Sequence, residues 1–133
     1  GGRLAFIVHR ENSPYEPLQI FGEIVVEDPE VLTKRIAFDF PADTAQVSRQ
    51  LAATGLEPVH LDEGEIVFRY RTAREALEHL KKSGAGTAYY EAVDPAKRDQ
   101  LEALFIEKLT ERRRGKPGYD VVHNYITCIA RKA

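Results

Sequence analysis

The chain has 133 residues and a nearly balanced charge, with 19 Lys and Arg against 21 Asp and Glu and a formal net charge of −2. Because no basic stripe accompanies this balance, the composition argues against a nucleic-acid-binding protein. The length suits a single domain over residues 1–133 with a modest hydrophobic core. The single cysteine, Cys128, leaves no internal disulfide, and its apolar neighbours predict a buried, unreactive thiol.

The sequence shows neither a signal-peptide pattern nor an apolar run near the ~20 residues that a membrane span needs. We therefore predict a protein that does not enter the membrane and that works in a reducing cytoplasm. With a single cysteine, four scattered histidines and no two-histidine metal helix in the sequence, we predict no metal site.

The first predicted element is a strand over residues 3–8, "RLAFIV". Ser13 and Glu16 have the spacing of a capping box, and Pro14 stands at the first helical position. This combination predicts a helix that begins at Pro14.

Two further helices are predicted before the middle of the chain. Asp28 and Pro29 predict a short one, and Asp43 with Gln46 predicts the start of another, which Gly55 ends.

An alternation of apolar and polar residues over 57–70 predicts one long strand, or a strand pair broken at Gly64. Thr72 and Glu75 form a second capping box, and the helix that follows is predicted to close at Gly84.

The segment "TAYYEA" after this helix is predicted to be a loop between helices. Asp94 and Pro95 predict the start of a last helix, and residues 119–131 predict the clearest strand of the chain. With strands at its start, middle and end and helices between them, the predicted fold class is α/β.

The candidate functional residues come mainly from the histidines. His9 directly follows the carboxyl end of the first strand, where ligands gather in open α/β sheets. His123 lies near the start of the last strand beside Tyr119, and such polar and aromatic groups suit a small-molecule pocket. An ordinary loop or core histidine is the alternative at both positions. His60 and His79 are predicted to lie at the surface.

Local motifs identify no enzyme class, since a phosphate-binding loop, a serine elbow and a two-histidine metal helix are all missing from the sequence. Tyr90, in the predicted "TAYYEA" loop, either covers a substrate or packs against the sheet.

Two longer stretches resemble a known family. "RTAREALEHLKKSGAG" after a long strand, and the terminal "YDVVHNYITCIARKA", resemble the C-terminal end of Rossmann-like S-adenosylmethionine-dependent methyltransferases. The nearest likeness is to the malonyl-thioester O-methyltransferases of the biotin pathway and their small-molecule relatives. "GGRLAFIVH" is similar to the fifth strand of that fold, and "LAATGLEPVHLDEGEIVF" to its next helix and sixth strand. Residues 11–43 depart from the family pattern, so the substrate stays open.

The resemblance implies a C-terminal half-sheet of three strands, with the last strand antiparallel and between the other two. It also implies that four strands and their helices precede Gly1. The glycine-rich loop and the acidic residue that bind S-adenosylmethionine in the family have no counterpart in this sequence, so no cofactor-binding residue is assigned.

The same resemblance implies a substrate-side role for five positions. The loop after the fifth strand lines the active site in the family, which corresponds to His9, Arg10 and Asn12. The approach to the last strand borders the substrate, which corresponds to Tyr119 and His123. Either histidine can remove a proton from the methyl acceptor.

The sequence therefore indicates the substrate-side half of a small-molecule methyltransferase, as a fragment or as one chain of a split enzyme. The alternative is a non-catalytic binding or assembly module of the same origin. A third possibility is a small standalone α/β ligand-binding domain that resembles the family by chance. In the half-sheet that the resemblance implies, the strand at residues 3–8 is expected to lack a neighbour on one side, which predicts a homodimer or a complementing N-terminal chain.

Overall fold

A computed structural model describes residues 1–11 and 15–133. The strands within these residues are β1 (Arg3–His9), β2 (Leu56–Tyr70) and β3 (Tyr119–Lys132). The α-helices are α1 (Glu16–Glu27), α2 (Thr44–Ala53), α3 (Ala73–Lys82), α4 (Gly84–Ala92) and α5 (Arg98–Arg112). Two short 3-10 turns cover Pro29–Val31 and Pro95–Lys97.

The three strands form one antiparallel sheet in the order β1-β3-β2, so β3 is the central strand. The pairing of β1 with β3 places His9 opposite Tyr125. On the other side, Arg131 contacts Glu57 and Tyr125 lies against Gly64, so residue numbers rise along β3 as they fall along β2. The mixed α and β content, the strand order and the antiparallel last strand confirm the sequence-based predictions.

The chain folds into two compact units. The first contains the described residues of 1–14, 39–67 and 122–133, and the second contains residues 15–38 and 68–121. The strands β2 and β3 contribute residues to both units. This division into two units does not test the prediction of a single domain over residues 1–133, which remains a prediction.

The first unit is built where α2 packs on one face of the sheet. The side chain of Asp43 accepts a hydrogen bond from the backbone N–H of Gln46 at 2.7 Å, and Gly55 ends the helix with a φ of 74°. Both boundaries match the prediction. The buried side chains of this core are Val47, Leu51, Ile126, Cys128 and Ala130. Burial of Cys128 is thereby confirmed.

The second unit is mainly helical, and its core gathers apolar residues from α1, α3 and α5. The largest fully buried side chains there include Phe21, Phe105, Ile20, Ile24, Leu77 and Leu80. Thr72 and Glu75 form the predicted capping box at the start of α3. Their reciprocal hydrogen bonds satisfy backbone N–H groups that a helix otherwise leaves without partners.

Two predicted helix starts differ from the structure. Helix α1 begins at Glu16, with Tyr15 at the N-cap, so Glu16 holds the first helical position that was predicted for Pro14, and Pro17 is the second helical residue. Ser13 and Pro14 lie outside the described residues. The helix predicted at Asp28 is only a single 3-10 turn, Pro29–Val31.

The prediction that "TAYYEA" is a loop is wrong, because this segment forms most of α4. Ser83 breaks the helical path with an extended backbone (φ −102°, ψ 104°), and a new helix starts at the very next residue. A Cβ at Gly86 would collide with the carbonyl oxygen of Leu80, so glycine lets the two helices meet without a loop. Glycine here permits close packing, whereas the sequence pattern suggested only a helix end.

Candidate functional site

The structure brings the two predicted histidines together in the first unit. His9 lies opposite Tyr125, and His123 precedes Tyr125 by two residues on the same face of β3. The two rings are therefore diagonal neighbours across the strand pair. Their centroids are 5.0 Å apart at an interplanar angle of 35°, and the ring of Phe40 lies 5.7 Å from that of His9.

Burial determines the charge of His9. His9 is half-buried, and loss of hydration lowers its pKa below the usual value of 6.5. Its imidazole is therefore neutral at neutral pH and able to accept a proton. His123 is more enclosed, with 6% of its surface exposed. A neutral imidazole at the carboxyl end of an edge strand, backed by an aromatic ring, has the properties of a general base.

Arg10, the next predicted site residue, is held close to this pair by its backbone and side chain. Its backbone N–H donates to the carbonyl of Asn124 at 3.0 Å, and its guanidinium lies 3.2 Å from the carboxylate of Glu63. Its Nε also donates to the carbonyl of Ala42 at 3.3 Å. The guanidinium therefore already has an anionic partner, although exposed pairs of this kind are weak enough to exchange for a ligand. Asn12 lies outside the described residues.

The remaining predicted residues, Tyr90 and Tyr119, belong to the second unit. Tyr90 is helical, and its hydroxyl donates to Glu102 at 2.6 Å, while the ammonium of Lys81 lies 4.8 Å from its ring. Tyr119 is partly buried and packs against the core of that unit. Both tyrosines thus have structural contacts of their own.

A second cluster of functional groups surrounds His79, which sequence reasoning placed at the surface. That prediction is wrong, since His79 is half-buried among aromatic rings. The Tyr70 hydroxyl lies 2.6 Å from its Nδ1, and the ring centroids of Phe68 and Tyr15 are 4.7 and 6.1 Å away. Loss of hydration lowers the pKa of His79, which favours a neutral ring that accepts the Tyr70 hydrogen at Nδ1.

A cavity of about 420 Å³ lies beside this cluster and is lined by Tyr70, His79 and Ser83 together with four charged residues of α3. The Tyr15 hydroxyl lies 2.5 Å from the Ser83 Oγ, and burial raises the pKa of Tyr15 to about 12. One signal for this cluster was present in the sequence. Phe68 and Tyr70 are two residues apart on a strand and so point to the same side.

Within the described residues, no group of three or more His, Cys, Asp or Glu side chains is arranged to hold a metal ion. In the same residues, no helix is both long and apolar enough to cross a bilayer. In comparisons with known proteins, neither a family model nor a curated protein matches this chain.

Proposed function

We propose that the chain is the substrate-side portion of an S-adenosylmethionine-dependent small-molecule methyltransferase. The observation that supports this proposal best is the strand order β1-β3-β2 with an antiparallel central β3. The methyltransferase resemblance implies this order, whereas the sequence patterns alone are equally compatible with other orders of three strands. The sheet order agrees with the resemblance, and the histidine pair supplies a candidate for the chemistry.

The described residues do not fit the cofactor by themselves. At two helix starts, those of α2 and α3, one first-turn amide is already capped, by the side chain of Asp43 at α2 and by that of Thr72 at α3. A capping side chain occupies an amide that a bound anion would otherwise contact. We therefore assign no cofactor contact to this chain, and we derive its contribution only for the methyl acceptor.

That contribution is positioning and proton removal. His9, neutral because of burial, would accept the proton that an acceptor O–H or N–H loses on methylation. Arg10 can exchange its contact with Glu63 for an anionic group of the substrate. Holding the acceptor in line supplies much of the rate in such transfers.

The second candidate function, a non-catalytic assembly module, is favoured by the exposed edge of the sheet. Within the described residues β1 is an edge strand, and Ile7 and Leu4 leave 65% and 44% of their surfaces exposed. An apolar edge with open backbone groups is suited to pairing with a strand of another chain. A homodimer or a complementing N-terminal chain would satisfy it. Light scattering of the wild type and of Ile7→Lys at micromolar concentration tests this, and a monomeric wild type would contradict it.

The decisive experiment asks whether a cofactor-binding portion accompanies the chain. The coding region upstream of Gly1 and the neighbouring reading frames are translated, and a strand followed by a glycine-rich loop and a helix is expected. The two portions are then produced together and assayed for S-adenosylhomocysteine with a panel of small acids and phenols. Titration of S-adenosylmethionine into the present chain alone should show at most weak, high-micromolar binding.

The histidine variants separate the two candidate functions. His9→Gln and His123→Gln should lower methyl transfer at least tenfold, which corresponds to ~1.4 kcal/mol of barrier. His60→Gln is the matched control, because His60 is half-exposed and contacts only the exposed Asp62 among the described charges. Full activity in both histidine variants would contradict the catalytic assignment. An accompanying region without a glycine-rich loop would favour the assembly module.

A further inference from the structure

The second unit contains an open apolar groove that the proposed function does not use. It lies between α1, the 3-10 turn after it and the following segment, with a volume of about 590 Å³. We call it the α1 groove. Its apolar walls are formed by Val25, Val26, Pro29, Leu32, Ile36 and Tyr89. Val26 is 81% exposed, so its aliphatic side chain adds apolar surface to the groove.

A glycine within α1 keeps the groove wide. Gly22 lies in the interior of a 12-residue helix, where glycine is less favourable than alanine. Nothing lies within 4 Å of the position that a Cβ would occupy on it, so close packing does not require glycine here. Its backbone is helical and needs no special φ. Because Gly22 lines the groove, a larger side chain at this position would occupy part of the groove.

The charge of the groove lining comes from two adjacent cations. Lys34 and Arg35 are both exposed, and no carboxylate from the described part of the chain joins them in the lining. Across residues 1–11 and 15–133, neither of them has an ion-pair partner within 4.0 Å. By contrast, Lys108 and Arg112 of the same unit pair with the glutamates of α1. The charge at the α1 groove is therefore available to an anion.

We propose that the α1 groove binds a monomeric amphiphile with one alkyl chain and a carboxylate headgroup. The alkyl chain lies along the aliphatic wall beside Gly22, and the carboxylate meets Lys34 and Arg35. Aliphatic walls with a cationic end complement this ligand in both shape and charge. A peptide segment or a second copy of the protein would place apolar side chains on the same wall but would not require an anion at that end. This binding is independent of methyl transfer.

The test uses sodium decanoate, well below its micelle concentration, titrated into the present chain by calorimetry. We expect saturable one-to-one binding. Each additional buried methylene should tighten binding about fourfold, so decanoate should bind roughly fifteen times more tightly than octanoate. Decyltrimethylammonium, with the same alkyl chain and the opposite charge, should bind at least tenfold more weakly than decanoate.

Two kinds of variant separate the contribution of the apolar groove to decanoate binding from the contribution of its two cations. Gly22→Leu should fill the groove and weaken decanoate binding at least tenfold, while its melting temperature stays equal or rises because leucine is a good helix former. Charge reversal of Lys34 and Arg35 to glutamate should also weaken decanoate binding at least tenfold, and it should leave the binding of uncharged decanol unchanged. Lys116→Glu, an exposed residue of a turn in the same unit, is the matched control.

Four results would overturn the proposal. In the first, the cationic and anionic amphiphiles bind equally, so the charge of Lys34 and Arg35 has no role. In the second, decanoate binding is unchanged in a folded Gly22→Leu variant. In the third, anionic vesicles bind the protein while monomeric decanoate does not. In the fourth, light scattering shows a dimer that Gly22→Leu dissociates. The groove would then be a membrane-binding or self-association surface.

Discussion

Gly64 of β2 and Tyr125 of β3 provide a direct test of the sheet register around the candidate site. A Cβ built on Gly64 would lie 2.5 Å from both the Cε2 and the hydroxyl oxygen of Tyr125, whereas ordinary contact begins at 3.4 Å. In Gly64→Ala the tyrosine ring must therefore withdraw by about 1 Å. Because the register puts Tyr125 opposite His9, the displaced ring also moves beside the histidine pair.

The size of the effect follows from two opposing terms. Inserting a methyl group into a close contact costs ~1–3 kcal/mol, and the lower part of this range applies because the end of a side chain can move. Alanine instead of glycine in a strand returns ~0.5–1 kcal/mol through the entropy of the unfolded chain. We expect Gly64→Ala to lose about 1 kcal/mol in wild type and to gain about 0.5 kcal/mol when Tyr125→Ala is already present.

Urea unfolding of the four proteins in this double-mutant cycle measures the coupling, expected at about 1–2 kcal/mol. Gly55→Ala is a poor control because Gly55 has a positive φ, whereas Gly2→Ala changes a glycine with open space around it. If Gly64→Ala had the same effect with and without the Tyr125 ring, the two residues would not be in contact and the β2–β3 register would be wrong.

Three further outcomes are expected. Thr72→Ala should lose ~1 kcal/mol of unfolding free energy by urea denaturation, because it removes the N-cap of α3, while Thr110→Ala on the exposed side of α5 should change little. His9 and His79 both have lowered pKa values in the folded state, so the unfolded chain binds more protons. Stability should therefore be complete above about pH 6.5 and fall as the pH drops below it, and His9→Gln with His79→Gln should flatten this dependence between about pH 7.5 and about pH 5.5. Cys128, buried and with its thiol pKa raised by burial, should react with a thiol reagent only at the rate of unfolding, and rapid modification of the native protein would refute this.

The sequence predicted best those features that depend on neighbouring residues. The caps at Asp43 and Thr72 are made within three or four residues of chain, so their patterns were sufficient to place α2 and α3. The predicted order of the strands came from the family resemblance. By contrast, the close approach of Gly86 to Leu80 depends on how two helices pack, which the local sequence does not show. For this reason α4 was predicted as a loop.

The candidate site was predictable only in part for the same reason. His9 and His123 were each identified by their position relative to a strand, but their 5.0 Å separation depends on the register of β1 and β3. No local pattern specifies that register. The partial burial of His79 was not predicted, because in the sequence this residue stands among the charged residues of α3. Its surroundings are formed instead by Phe68 and Tyr70 of the preceding strand.

Tyr90 shows why proximity to charge is a poor guide to function in this fold. Its hydroxyl shares the carboxylate of Glu102 with Lys81, at 2.6 and 2.9 Å, so one acidic side chain of α5 joins α3 and α4. Burial by itself would raise the pKa of Glu102, but the hydrogen bonds from Tyr90 and Lys81 reverse that effect, and the net pKa is lowered. The carboxylate is therefore charged and fully engaged at neutral pH. Removal of the Tyr90 hydroxyl would leave the partly buried Glu102 carboxylate with fewer hydrogen bonds. A loss of activity in Tyr90→Phe would therefore indicate disturbed helix packing before it indicated a role in substrate binding. His9 instead lies at the end of a strand, which is why the histidine pair provides the more direct test of catalysis.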